Sequence, residues 1–223
     1  MLETFRPTAA IALLLAAPVA HATPNLLTNG SFETPSIAGT SYVTFASGST
    51  AITGWTAVGP GETQLTRTEF LPAAHGLQWV DLTGIVGYDK GLRSDPVGTT
   101  VGQRYTLSFD LGDYGAAGFL TSTVSVRING GPATLFTNVY EGGVMDWERM
   151  SMDWVADSAS AQVTIIGVAN GALSNNWGIG LDNVVFQAAA VPEPASWALL
   201  LGGAGLLGLR LRRPAGERAG AAG

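Results

Sequence analysis

The sequence predicts an all-β protein: an antiparallel β-sandwich set between an N-terminal signal helix and a single C-terminal hydrophobic anchor helix. Three observations carry this prediction. Apolar and polar residues alternate with period two along several stretches of the middle. Gly, Asn, Asp or Pro separates most of those stretches. No part of the middle sustains a helical apolar period over ten residues, so two packed sheets are the economical way to bury the apolar faces.

Taken in chain order, residues 1–22 place Arg6 ahead of an unbroken apolar run, Ala9 to Val19, followed by Ala20-His21-Ala22. A basic start, an apolar stretch with no polar face and a small-x-small cleavage pattern predict a secretory signal peptide cut by a signal peptidase, with the mature chain starting near Thr23. The sandwich is expected over 23–187. Its clearest strands are Tyr105, Leu107, Phe109 and Leu111 on one face with Thr106, Ser108 and Asp110 on the other, then Val124, Val126 and Ile128 against Thr123, Ser125 and Arg127. Asn129-Gly130-Gly131 after Ile128 predicts a hairpin into Pro132–Phe136. Leu77–Leu82, Met150–Trp154, Gln162–Ile166 and Gly180–Phe186 are further strand candidates.

Residues 188–194 read as a linker containing Val191-Pro192-Glu193-Pro194, and 195–213 as an apolar span closed by Arg210, Arg212 and Arg213, with 214–223 as a cytoplasmic tail. The fifteen apolar positions from Ala195 to Leu209 would cover about 22 Å as a helix against a hydrocarbon core of about 30 Å, so the span suits a temporary anchor whose arginines snorkel. Those arginines would hold the C-terminus in the cytoplasm and leave everything upstream outside. The Val-Pro-Glu-Pro motif, the Gly- and Leu-rich span and the Arg cluster, in that order, resemble the PEP-CTERM sorting signal. That resemblance implies processing by an exosortase, a membrane transpeptidase-like enzyme, in a Gram-negative bacterium that makes exopolysaccharide. It implies passage across the inner membrane and delivery to the cell surface, the extracellular matrix or a biofilm. The ten-residue tail from Pro214 departs from that pattern, which usually stops soon after the basic cluster.

Composition narrows the chemistry. The 223 residues contain no cysteine, which excludes disulfides, thiolate metal sites and cysteine nucleophiles. Only 13% are charged and mean hydropathy is +0.25, which is a folding rather than a disordered composition. Between Thr23 and Ala190 there are 14 acidic and 6 basic side chains, a net of −8, with Lys90 the only lysine. Such a domain lacks the clustered Lys and Arg that a nucleic acid needs.

The run Asn25-Leu26-Leu27-Thr28-Asn29-Gly30-Ser31-Phe32-Glu33, then Gly54-Trp55, Val80-Asp81-Leu82, Gly102-Gln103-Arg104-Tyr105-Thr106-Leu107-Ser108-Phe109 and finally Gly180-Leu181-Asp182-Asn183-Val184 resembles the galactose-binding-like jelly-roll superfamily. Within it the likeness is to secreted bacterial proteins of choice-of-anchor type and to a plant cell-wall family of unknown function. The resemblance spans nearly all of the mature domain. It implies a sandwich of eight or more strands with the first and last close together, in a group whose members mostly bind glycans or have no assigned role. It also implies that Glu33 and Asp182 match positions that often hold a structural calcium, stapling the terminal strands.

Among groups that could carry chemistry, His75 is the only histidine left after signal cleavage and has no nucleophile elbow beside it, and a zinc site lacks a second histidine or a cysteine. Carboxylate pairs for glycoside hydrolysis are conceivable at Asp110 and Asp113, or at Asp146 and Glu148 around Trp147, though acidic turns are ordinary on so acidic a domain. Five tryptophans fall in the mature domain, and an indole face is a common sugar contact. With Val80 and Leu82 facing the core, parity throws Trp79 and Asp81 to the opposite face, which makes them the leading ligand candidates. Trp177 with Asn175 and Asn176 reads as a loop that could rim a site, with Arg127 a further polar partner. Trp55 reads as a plug after its turn glycine, and Trp154, in parity with Met150 and Met152, as core. The expectation is an exported, exosortase-processed protein of the surface or exopolysaccharide matrix. Its domain is expected to be a non-enzymatic polysaccharide-binding module; the alternatives are a structural or adhesive protein without a specific ligand, or a glycoside-active enzyme.

Overall fold

The computed structural model describes residues 23–83, 89–114, 121–168, 178–189 and 202–205. Within them thirteen strands follow one another: β1 (Tyr42–Ala46), β2 (Trp55–Val58), β3 (Glu62–Arg67), β4 (Gln78–Asp81), β5 (Gly91–Ser94), β6 (Val97–Gly98), β7 (Arg104–Asp113), β8 (Thr121–Ile128), β9 (Thr134–Val139), β10 (Asp146–Val155), β11 (Ser160–Ala161), β12 (Val163–Val168) and β13 (Ile179–Ala188). They form a six-stranded sheet in the order β1-β3-β4-β13-β7-β10, a five-stranded sheet in the order β2-β5-β12-β8-β9, and the small pair β11-β6. All pairings are antiparallel. The predicted all-β sandwich is what the chain forms.

The alternating residues do what their spacing dictates. Leu107, Phe109 and Leu111 of β7, Val124 and Val126 of β8, Val163 and Ile165 of β12, and Leu181, Val184 and Phe186 of β13 are all fully buried between the sheets. Trp154 packs at the core margin against Tyr105 and Phe186, ring centroids 6.2 and 6.0 Å apart.

The chain's opening motif closes onto β13. Leu26 N–H donates to the Phe186 carbonyl at 2.8 Å, and the Asn25 side chain continues the ladder by donating to Val184 O at 2.9 Å and accepting from Phe186 N–H at 2.9 Å. Val184 N–H then reaches Gly30 O at 2.8 Å. A Cβ at Gly30 would lie 2.0 Å from Val184 O, so only glycine admits this approach. Phe32 enters the core and meets Trp55 at 5.4 Å, while Trp55 Nε1 donates to the Thr28 and Asn29 carbonyls. Trp55 is therefore the plug that the sequence suggested, and it locks the opening motif in place.

Candidate functional site

Four of the residues singled out in the sequence, Trp79 and Asp81 of β4, Asp182 of β13 and Glu33, come together on the outer side of the six-stranded sheet. Parity placed Trp79 and Asp81 on the side away from the core correctly, but that side is not open. Residues of the 68–77 connection lie over it, so Trp79 is fully buried, its Nε1 donating to Leu71 O at 2.9 Å and its ring meeting Trp147 edge-on at 5.7 Å. Trp147 Nε1 donates in turn to Pro72 O at 2.9 Å. The two indoles form a second apolar layer, floored by the cross-strand glycines Gly112 and Gly180, where an added Cβ would fall 2.8 and 2.7 Å from the Trp147 ring. Asp81 is buried as well, its Oδ1 accepting from Thr83 N–H at 2.7 Å and Thr83 Oγ at 2.5 Å. Trp79 and Asp81 are thus corrected from ligand contacts to structural residues. Arg127 lies on the other sheet, opposite Thr164, and donates to Gly131 O at 2.8 Å, so it does not join them. Asn175, Asn176 and Trp177 lie outside the described residues, as do Val191, Pro192, Glu193, Pro194, Arg210, Arg212 and Arg213.

Glu33 and Asp182 grip the same connection. Glu33 Oε1 accepts from Leu77 N–H at 2.8 Å and Gln78 N–H at 3.1 Å; Asp182 Oδ2 accepts from His75 N–H at 2.7 Å and its Oδ1 from Asn183 N–H at 2.6 Å. His75 thus contributes its backbone to this clamp. The pair ties the first motif to the last, as a staple would, but with main-chain donors. Calcium needs six to eight oxygen acceptors, whereas N–H donors face these carboxylates, and among the described residues no three of His, Asp and Glu gather closely enough to hold a metal. Burial pushes the Asp182 carboxyl up to about 7, against the two N–H bonds that pull it down, with Asp110 and Glu33 adding to the rise. Asp110 itself takes Arg149 Nη1 at 3.0 Å and Asn183 Nδ2 at 3.0 Å.

An open site lies at the β1 side of the same sheet. Tyr42 and Phe70 are 46% and 47% exposed, with ring centroids 6.5 Å apart and planes at 50°. Beside them a groove of about 370 Å³ is lined by Gly39, Thr40, Ser41, Arg67, Glu69 and Phe70. Arg67 and Glu69 form a two-pronged ion pair, Nε to Oε2 at 2.6 Å and Nη2 to Oε1. The fork holds the Glu69 carboxyl down to about 2, so the pair stays charged at any ordinary pH. Ser41 O accepts from Arg67 N–H at 2.9 Å, fixing Tyr42 opposite Thr66 on β3. Sequence reading passed over Tyr42 and Phe70 because they are far apart in the chain; the available signal was weak, Tyr42 following Gly39-Thr40-Ser41 and Phe70 directly after Arg67-Thr68-Glu69.

Residues 25–187 match the family described as protein of unknown function (DUF642), and residues 190–213 match the PEP-CTERM protein-sorting motif, which implies export and membrane-transient sorting to the cell surface. Among the described residues no helix is long and apolar enough to cross a membrane; of the expected anchor only 202–205 is described. No curated protein matches the chain. Similar solved structures include two cyclases from Fischerella sp. TAU. The Stig cyclase Fisc, in complex with (3Z)-3-(1-methyl-2-pyrrolidinylidene)-3H-indole, is 16% identical with a TM-score of 0.53. The cyclase in complex with 4-(1H-indol-3-yl)butan-2-one is 19% identical, also at 0.53. Each covers 77% of this chain and 100% of its own. CBM35 from Paenibacillus barcinonensis is 13% identical over 66% of this chain and 99% of its own, with a TM-score of 0.44. At such identities the likeness is one of fold.

Proposed function

The chain belongs to the DUF642 family, and we propose that this member is an exported, exosortase-processed protein of the cell surface or exopolysaccharide matrix, whose sandwich is a non-catalytic glycan-binding module. The observation that carries the reading is the exposed Tyr42–Phe70 pair beside the Ser-, Thr- and Arg-lined groove. Aromatic faces offer a sugar ring a large apolar contact at small entropic cost. The hydroxyls of Thr40 and Ser41 and the remaining N–H groups of Arg67 are in reach to receive sugar hydroxyls. Because the Arg67–Glu69 fork is fixed before a ligand arrives, little ordering is charged against binding. The sorting motif supports the location, since a protein delivered to the surface meets polysaccharide there.

The test is titration of the full-length chain, held in a neutral detergent, against neutral, uronic and amino polysaccharides, with released sugar assayed in parallel. Tyr42→Ala combined with Phe70→Ala should weaken binding by about tenfold or more, the loss of roughly 1.4 kcal/mol or more, while the melting temperature stays put. Absence of binding across the panel would remove the reading. Turnover lost on substitution of an Asp or Glu would replace it with an enzymatic one.

A further inference from the structure

The last strand leaves the sandwich at one end, and that end is built differently from the other. Ala189 N–H donates to Arg104 O at 2.9 Å, and Val155 pairs with Arg104 from the opposite side. The chain therefore departs toward residue 190 beside the start of β7 and the end of β10. Two connections wrap this end and are bonded to each other: Gly102 N–H donates to Ala156 O at 2.8 Å, Ala156 N–H to Gln103 O at 2.9 Å, Thr99 N–H to Ala159 O at 3.0 Å and Thr99 Oγ1 to Ser158 O at 2.9 Å. The β6–β11 pair continues the contact. These bonds make the two connections one platform.

The platform is poor in charge on a domain rich in acid. Residues 96–103 and 154–162 contain a single charged side chain, Asp157, and the Arg104–Asp153 ion pair at the border cancels itself. Val101 is 63% exposed and Val155 48%. From here β7 runs ten residues, about 30 Å, to the opposite end of the sandwich. There the strand ends and turns bring Glu62, Asp89, Glu141 and Asp146, while Lys90 is buried. One end of the domain is thus acidic, and the end from which the chain departs is nearly neutral and partly apolar.

From this geometry we infer that the Val101–Val155 platform is a membrane-docking surface, resting on the lipid headgroup layer while the chain is still anchored. The inference rests on the exported, membrane-sorted reading given above. Only residues 190–194 lie between the bonded Ala189 and the apolar span that starts at Ala195, and five residues reach at most about 18 Å. The acidic end lies farther from Ala189 than that, so it cannot come down to the bilayer in place of the platform. Within this reach the platform is also what a lipid surface accepts. Exposed valines among small and hydroxyl side chains suit the headgroup boundary, whereas anionic lipid repels the carboxylates of the far end.

The experiment takes the full-length chain from the membranes of an export-competent host that lacks exosortase and reconstitutes it in vesicles of phosphatidylethanolamine and phosphatidylglycerol. The sequence has no cysteine, so Val101→Cys, Val155→Cys and, at the acidic end, Val144→Cys each carry one fluorescent label; Val144 is 57% exposed and serves as the control. A quencher attached to the lipid headgroup should quench the labels at 101 and 155 about threefold or more above the label at 144. In the Val155→Cys chain, Val101→Asp should lower the quenching about twofold and Val144→Asp should leave it unchanged, with melting temperatures confirming that each variant keeps its fold. A chain that fails to float with the vesicles overturns the anchored reading and the inference together. A chain that floats but is quenched equally at all three positions overturns the inference alone. So does a label at 101 that becomes shielded only when exosortase is added, which would assign the platform to the enzyme.

Discussion

The outer sides of the two sheets carry different kinds of residue and meet water differently. On the six-stranded sheet, Gln64, Thr66, Trp79, Asp81 and Asp182 are buried, with the 68–77 connection bonded to Trp79 and Asp182. On the five-stranded sheet, Ser125, Arg127, Leu135, Thr137 and Val139 occupy the equivalent outward positions and stay at the surface, Leu135 and Val139 more than half exposed. Parity assigns a side chain to a side. Whether that side is interior depends on where the connections run, and here the 68–77 connection crosses the six-stranded sheet. The covered side can hold a buried acid and two indoles packed edge to face because its cover supplies N–H and C=O partners; the open side carries hydroxyls and isolated apolar groups.

The strongest way to break this contrast is to truncate one large residue on each side. Trp79→Ala should cost about 3–5 kcal/mol in chemical denaturation of the full-length chain, which for a domain of this size lowers the melting temperature by roughly 6–20 °C. Leu135→Ser should stay within about 0.5 kcal/mol. Equal effects would mean that the covered side contributes no core of its own.

A second measurement titrates the cover. Asp182 and Asp113 both bind their proton more tightly folded than unfolded, burial raising them to about 7 and about 6. Their contribution is therefore complete below the unfolded carboxylate range near pH 4 and is lost as pH rises through 6 and 7. Stability should fall between about pH 4 and pH 8, by on the order of 4 kcal/mol for Asp182, and Asp182→Asn should flatten that part of the profile while Asp182-independent loss from Asp113 persists. A profile that rises over the same window would show that both acids are ionised in the fold. The smallest expected effect concerns calcium. With main-chain N–H groups already on Glu33 and Asp182, melts in EGTA and in millimolar calcium should coincide. A calcium-dependent rise of roughly 5–11 °C, removed by Glu33→Gln, would show that an ion displaces the N–H donors.

The strands that sequence alone revealed are those with one wet and one dry side. β7 and β8 alternate cleanly because their outward residues, Thr106, Ser108, Ser125 and Arg127, meet solvent at least in part. β3 shows no such pattern, since Thr63, Gln64, Leu65 and Thr66 are all buried. Its polar residues are inside on both sides, so hydrophobic periodicity has nothing to report. β1, β2 and β5 are short and broken by Gly, Thr or Arg, which gave no alternation long enough to recognise. The same cause explains the sites. Trp79 was drawn forward by parity and withdrawn by a connection whose path the sequence does not state, while Tyr42 and Phe70 become neighbours only through the pairing of β1 with β3.

The closure of the opening motif onto β13 bears on the timing of export. β13 is the last strand of the domain, yet it lies inside the six-stranded sheet between β4 and β7 and also receives residues 25–30. A chain that emerges N-terminus first cannot complete this sheet until residue 188 has passed, immediately ahead of the sorting motif at 190–213. The five-stranded sheet can pair before β13 emerges, but β4 and β7 have no partner between them until it does, and such contacts distant in sequence are slow to form. The strand that completes the six-stranded sheet is thus the one that immediately precedes the sorting address in the chain.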